Sequence, residues 1–358
     1  MVITSSRATS TKCWRKTFNV YHRDLEGPRS MNLTDGGAVH AGIAYGLATK
    51  DWVGAKKELE ERFAEDVAVS DIPQEQAYLI EDHRDLCVAL MDAFAEHVAD
   101  APYEVVQPEC AINVALPNTE HYCIWIHWWD EEDREFKWGR PPADKILRGA
   151  VKPAHSPSND SMYAHGGNCP CYQPHRVLGQ TDALVLWENN LWLLEHKTTA
   201  MIGDQFWAGF ELDLQPSIYL YGIWKQLEVQ PRGVVVNALY KPSEKMVSSW
   251  NDKRKNGPAK AVKDYIKVER QPILRSLEDL LRIEKVLTEL CTEWEWRIVN
   301  GFFRPALMKT VCIEYARRCD FHTACSCHEE EGCFDALAPR HKRYDDEYIE
   351  SLVQIATR

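Results

Sequence analysis

Apolar side chains recur at helical spacing in three stretches of the chain, about 36–65, 74–99 and 272–299. The first is broken near Lys50. The second keeps Leu79, Leu86, Leu90 and Phe94 in step, and the third aligns Ile273, Leu277, Leu280, Leu281 and Leu287 on one stripe. Strand-type runs lie between them. Residues 103–115 and 121–129 are rich in Val, Ile, Tyr and Trp and flank Pro117-Asn118, which predicts a hairpin. Ala183 to Trp187 and Leu191 to His196 are two apolar runs around the turn formers Asn189 and Asn190, and predict a second hairpin. Residues 131–178 carry Pro, Gly, His and Asn with little periodicity and read as a long excursion from the core. No internal repeat or low-complexity tract is present, which excludes a solenoid and leaves one integrated domain as the expectation.

The chain has 358 residues, 45% of them hydrophobic, enough for a sizeable core. No window approaches the roughly 18 consecutive apolar residues that a membrane helix needs. Arg7, Lys12, Arg15 and Lys16 have no apolar stretch behind them, so neither signal peptide nor anchor is expected and the cytoplasm is the expected compartment. In that reducing setting the 12 cysteines are read as metal or cluster ligands where they are dense, and as core where they are isolated, as at Cys87 and Cys291. Lys and Arg total 42 against 54 Asp and Glu, a formal charge of −12 that argues against a long passive nucleic-acid surface. Locally, Lys253, Arg254, Lys255, Lys260, Lys263, Lys267 and Arg270 form a basic strip that suits phosphate tracking or, equally, a solvated loop.

The chemistry appears at the second hairpin. Side chains alternate faces along a strand, so Glu195 and Lys197 point one way and Leu194 and His196 the other. If positions whose numbers sum to 377 pair across the hairpin, Asp182 lies opposite Glu195, and two carboxyl groups and an ammonium converge. Such carboxylates repel each other unless a hard divalent cation such as Mg²⁺ or Mn²⁺ lies between them. A cation there would polarise a phosphate oxygen and activate water, with Lys197 orienting that water or stabilising the developing charge. The bland alternative is a strand-edge ion pair. Glu135-Phe136-Lys137, which follows Asp130, has the same letters, but it lies in a highly charged run and reads as solvated surface with no hairpin between acid and Glu-x-Lys.

Gly179-Gln180-Thr181-Asp182, the hairpin, Glu195-His196-Lys197 and then Gln215-Pro216-Ser217-Ile218-Tyr219 resemble, in order and spacing, the Gly-x-x-Asp, Glu-x-Lys and Gln-x-x-x-Tyr motifs of RecB-like PD-(D/E)XK nucleases. Gly36-Gly37-Ala38-Val39-His40 resembles the family's upstream histidine helix; on its own, His40 reads as a capping or core histidine. The resemblance implies an α/β fold with a central mixed sheet flanked by helices. It implies Asp182, Glu195 and Lys197 as catalytic residues and His40, Asp182, Glu195 and the His196 carbonyl as metal ligands. Gln215 and Tyr219, four apart on one helix face, would hold DNA, the alternative being a surface amide and a half-buried tyrosine.

The C-terminal Cys312, Cys319, Cys325, Cys327 and Cys333 are dense enough to require a metal reading. One branch of the family carries a 4Fe-4S cluster held by one N-terminal and three C-terminal cysteines. Cys13-Trp14-Arg15-Lys16-Thr17-Phe18 and Phe303-Arg304-Pro305 followed by Cys312, Cys319 and Cys325 resemble its segments, which implies Cys13, Cys312, Cys319 and Cys325 as cluster ligands and a staple joining the chain ends. The competing reading is a local Zn²⁺ site from Cys319, Cys325, Cys327 and Cys333, with His322 or His328. A second metal site from Cys169, Cys171, His165 and His175 also stays open. The expected organisation is a nuclease core over 1–300 with an insertion at about 130–178, a cysteine-rich segment over 301–335 and a tail over 336–358.

The resemblance implies a Mg²⁺- or Mn²⁺-dependent deoxyribonuclease, an exonuclease by analogy, acting on DNA ends or single strands in recombination, repair or phage DNA processing. It would work in a bacterial or phage-infected cell, with a recombination or replication protein as partner. The rivals are a non-catalytic DNA-binding or assembly protein of the same fold and a CRISPR-adaptation nuclease. No Gly-x-x-x-x-Gly-Lys-Ser/Thr loop is present, so ATP is not expected.

Overall fold

The structure, a computed structural model, describes residues 2–26, 31–68, 78–117, 126–130, 135–139, 152–153, 175–242, 266–306, 309–314, 317–326 and 337–339. The N-terminal elements are β1 (Val2–Ile3), α1 (Ser5–Ser10), α2 (Trp14–Tyr21) and β2 (Leu25–Glu26). Three long helices follow, α3 (Met31–Thr49), α4 (Trp52–Ala68) and α5 (Tyr78–Ala99). Strands β3 (Glu104–Pro108), β4 (Ala111–Ala115), β5 (Ile126–Asp130), β6 (Glu135–Gly139), β7 (Lys152–Pro153), β8 (Arg176–Gln180), β9 (Ala183–Trp187) and β10 (Asn190–Thr199) come next. They lead to α6 (Asp204–Glu211), α7 (Leu214–Leu227), β11 (Gly233–Tyr240), β12 (Val268–Leu274) and α8 (Leu277–Asn300). The C-terminal part holds α9 (Lys309–Cys312), β13 (Ile313–Glu314), β14 (Arg317–Arg318), α10 (His322–Ser326) and β15 (Ala338–Pro339).

The chain divides into two compact units, one of Pro28–Ile112 and Gln180–Leu280, the other of Met1–Gly27, Asn113–Gly179 and Leu281–Arg358. The first unit contains a mixed five-stranded sheet in the order β12-β11-β10-β9-β3. β10 and β11 run parallel, which requires a crossover, and α6 and α7 supply it. The remaining neighbours are antiparallel. β9 and β10 close through Glu188 and Asn189, whose φ values of 51° and 59° are both left-handed, the geometry that matches the twist of a two-residue hairpin. The turn therefore sits one residue earlier than Asn189-Asn190 suggested, while the register keeps the predicted sum, with Leu193 opposite Leu184 and Leu194 opposite Ala183.

Trp192 and Leu194 of β10 pack with Ala183, Val185, Val235 and Leu239 against Val39, Ile43, Leu59, Leu86, Leu90 and Phe94 of α3 to α5. Helices thus cover this face, and α7 lies on the other. The predicted break near Lys50 is a sharp one: Lys50 is left-handed at φ 61°, and Asp51 Oδ1 accepts from the N–H groups of Val53 and Gly54 at 3.0 Å, capping α4. α4 then returns across α3 so closely that a Cβ on Gly42 would lie 2.9 Å from the Ala55 carbonyl oxygen.

Three expectations are corrected. The third helical stretch begins at Leu277, because Pro272 and Ile273 belong to β12; its buried stripe is Leu280, Leu287, Cys291, Trp294 and Ile298, while Leu277 and Leu281 are exposed. Among the described residues the hairpin expected at Pro117-Asn118 is not seen, β4 joining β8 and β5 pairing with β6 and β7, while residues 118–125 lie outside them. The stretch 131–178 is not without regular structure: β6, β7 and β8 lie within or at its edge, and Glu135 is opposite Asp130 in the β5–β6 hairpin, so Glu135-Phe136-Lys137 does sit on a hairpin strand.

In the second unit Trp14, Phe18, Trp294, Ile298 and Phe303 form a small aromatic core, with the Arg7 guanidinium 4.4 Å above Trp294 and that of Arg297 4.8 Å above Trp14. Its short strands pair as β1-β8-β4, β15-β2 and β13-β14. No described helix is long and apolar enough to cross a membrane.

One contact tests the packing of α7. A Cβ on Gly222 would overlap the Cγ2 of Ile112, so Gly222→Ala, which in an open helix would stabilise by about 1 kcal/mol, is expected to destabilise by about 1–3 kcal/mol here. Urea unfolding measures this, and Ile112→Ala in the same chain should make the added methyl tolerated.

Candidate active site

The site is assembled where β9 meets β10. Asp182 precedes β9, and its Oδ2 accepts the backbone N–H of His196 at 2.6 Å, continuing the hairpin register by a side chain. Its Oδ1 is 3.1 Å from Nδ1 of His40, which projects from α3. Glu195 and Lys197 share the face toward α7, and Lys197 Nζ is 2.5 Å from Glu195 Oε1. Lys197 also donates to Gln215 Oε1 at 2.9 Å, and Gln215 Nε2 donates to the Tyr219 hydroxyl at 3.3 Å. Asp213 caps α7 by accepting from the Gln215 N–H at 2.9 Å, so Pro216 falls inside the first turn, where its missing N–H costs nothing. The structure therefore brings His40, Asp182, Glu195, His196, Lys197, Gln215 and Tyr219 together in one unit.

The two carboxyl groups have opposite electrostatic settings. Burial pushes Asp182 up, but the charge and hydrogen bond of His40 and the His196 N–H more than reverse this, leaving it well below the usual carboxylate range. Glu195 is pushed up by burial, which Lys197 opposes and Asp182 reinforces. Lys197 is disfavoured as a cation by burial, yet Glu195 outweighs that and raises it. His40 is likewise raised, burial being overcome by Asp182.

His196 turns to the opposite face, against the Phe94 ring at 4.8 Å. Three residues that sequence reasoning did not single out for the site determine its state. Arg270 Nε donates to Asn237 Oδ1 at 2.9 Å; an arginine cannot accept, so the Asn237 amide nitrogen faces His196 Nδ1, 3.3 Å away, and also the Tyr103 hydroxyl at 3.4 Å. Nδ1 is then the acceptor and the proton sits on Nε2, which has no hydrogen-bond partner among the described residues. Burial pushes His196 down to about 4, so the ring is neutral at neutral pH. Arg270 also lies 4.8 Å over the Tyr103 ring and is thus part of this network rather than of a phosphate-tracking strip; Lys253 to Lys263 lie outside the described residues. The available signal was Asn237 itself, the one amide in the otherwise apolar run of β11.

The other predicted metal residues belong to the second unit. Cys312 and Cys319 flank the β13–β14 hairpin, and the Cys319 N–H donates to the Cys312 carbonyl at 2.8 Å. Cys13 caps α2, its Sγ 3.5 Å from the Lys16 N–H. Burial pushes the Cys325 thiol up to about 11, and negative charge on Cys13, Cys319 or Cys312 would raise it further. Among the described residues no group of three or more His, Cys, Asp or Glu side chains, neither the cysteines nor His40 with Asp182 and Glu195, is arranged around a common point as a metal site. Cys327, His328, Cys333, His165, Cys169 and Cys171 lie outside the described residues. His175 is buried with Nε2 2.8 Å from Glu295 Oε1.

A model of the PD-(D/E)XK nuclease superfamily matches residues 5–326. The chain belongs to the PD-(D/E)XK nuclease superfamily. Membership explains the mixed sheet flanked by helices and implies metal-dependent nuclease activity, generally with Mg²⁺ or Mn²⁺. No curated protein sequence matches the chain at a significant level. The donor set of this PD-(D/E)XK protein fits such a cation: Asp182 is held ionised, and Glu195 is a buried carboxyl disfavoured as an anion, which a hard cation would stabilise.

Asn237→Ala removes a hydrogen-bond partner of His196 Nδ1 and an acceptor of Arg270. The expected loss is about 1–3 kcal/mol in denaturant unfolding, the usual cost of stranding buried polar groups. A change under about 0.5 kcal/mol would show that water replaces the amide.

Proposed function

We propose that this PD-(D/E)XK protein is a Mg²⁺- or Mn²⁺-dependent deoxyribonuclease acting on DNA ends or single strands, with exonucleolytic cleavage favoured, in recombination, repair or phage DNA processing. The observation that carries the reading is the convergence of Asp182, Glu195, Lys197 and His40 at the open end of the β9–β10 hairpin, two carboxyl groups and a lysine set into an otherwise apolar sheet. Asp182, Glu195 and the His196 carbonyl would hold the cation, with His40 beside them. When bound, it would polarise a phosphate oxygen and make water a competent nucleophile at neutral pH. Asp182 enters this role already ionised and aimed by His40 and the His196 N–H. Lys197 is held by Gln215 as well as by Glu195, so its ammonium stays on the same face if Glu195 turns away, placed to orient water or to offset charge developing on the phosphorus oxygens. Gln215 and Tyr219 would thereby serve DNA partly through Lys197.

The four cysteines support a 4Fe-4S cluster held by Cys13, Cys312, Cys319 and Cys325. The soft thiolate set suits iron or zinc, and the resemblance of the Cys13 and Cys312–Cys325 segments to those of cluster-carrying family members favours the cluster over the local zinc site. Its role would be a staple rather than chemistry.

Cleavage of end-labelled single- and double-stranded DNA with Mn²⁺ or Mg²⁺ tests the activity. The parent should release label only with metal, and Glu195→Ala and Lys197→Ala should each lose about 100-fold or more. Intact DNA binding with no cleavage by the parent would make the protein a non-catalytic binder. For the cysteines, protein purified without air should show an iron–sulfur chromophore that Cys325→Ala loses together with solubility. A colourless parent containing zinc, or a soluble, coloured Cys325→Ala, sinks the ligand assignment.

A further inference from the structure

Five residues before His40 on α3, Asp35 is completely buried together with two other ionisable side chains that the reaction does not use. Its carboxyl oxygens lie 2.8 and 2.9 Å from His83 Nδ1 of α5, and Oδ2 is 2.9 Å from Lys241 Nζ. His83 and Lys241 are 3% and 8% exposed. Lys241 follows β11 directly, and its own N–H donates to the carbonyl of Thr199, the last residue of β10, at 2.6 Å. One carboxyl group therefore ties α3, α5 and the ends of both parallel strands at a single point. Gly36, the next residue of α3, faces Thr198 of β10, so this point is also where the helix meets the strand carrying Glu195 and Lys197.

Burying such groups costs several kcal/mol of desolvation each, and apolar residues of the same shape would stabilise the fold equally well or better. What apolar packing cannot supply is direction. Val39, Ile43 and Leu47 would keep α3 on the sheet in more than one axial position, whereas a slip of one residue shifts the helix by about 1.5 Å and turns it by about 100°. Such a slip would break the 3.1 Å contact of His40 with Asp182.

We propose that Asp35, His83 and Lys241 are positioning residues that set the register of α3 on β10 and β11 and so deliver His40 to Asp182. Their importance for metal binding rests on the reading of that pair as part of the metal centre, but the positioning itself does not.

The test uses the full-length protein and a urea double-mutant cycle without metal or DNA. His40→Ala should change the unfolding constant at least about twofold less in a Lys241→Met background than in the parent, the scale expected of residues coupled through one structural unit. Its effect should be unchanged in Leu90→Ala, a core variant that forms none of these hydrogen bonds. If Lys241→Met does not fold, His83→Asn takes its place. Mn²⁺ titration followed by electron paramagnetic resonance is the second readout: Lys241→Met should weaken binding about tenfold and Leu90→Ala by less than about twofold. Additivity in the cycle overturns the proposal whatever Mn²⁺ does. A parent that binds no Mn²⁺ overturns the metal-centre reading instead and leaves the result of the cycle in force.

Discussion

The bond from the His196 N–H to Asp182 holds the candidate site together, because it extends the β9–β10 register one step beyond the backbone ladder. Side chains on a strand alternate, so a slip of one residue would turn Glu195 and Lys197 into the apolar layer of Leu59, Leu86 and Phe94 and bring Leu194 and His196 to the face of α7. The apolar residues of β9 and β10 make that slip costly over their whole length. The left-handed Glu188-Asn189 turn allows only the short connection that keeps the register.

Within that frame the electrostatics divide the work between two carboxyl groups. Asp182 has hydrogen-bond donors on both oxygens and stays ionised without help. Glu195 is buried, which disfavours its anion, and Lys197 beside it opposes that effect. Behind the strand, Asn237, oriented by Arg270, holds His196 in one tautomer and burial disfavours its charged form, and a neutral ring there adds no positive charge to repel a cation. The polar residues on the two faces of β10 thus act on one strand from opposite sides.

The family match runs through both compact units, from residue 5 to residue 326, although every residue assigned to catalysis lies in one of them and every assigned cysteine in the other.

The sequence by itself determined the local features. The helix break at Lys50, the helical spacing of Leu86, Leu90 and Phe94, the hairpin sum of 377 and the motif order all follow from short-range patterns, because period and turn chemistry are properties of neighbouring residues. Only the tertiary structure decided what depends on residues far apart in the chain. The end of β12, residues 272–274, falls within the helical stretch because Ile273 is in step with Leu280, and its strand identity comes from the ladder with β11. Arg270 read as part of a basic strip until Asn237, 33 residues away, took its side chain. Asp35, His83 and Lys241 carry no mark in the sequence, since a buried ionisable side chain is recognised only by the partners that surround it, and those come from separate elements brought together by folding.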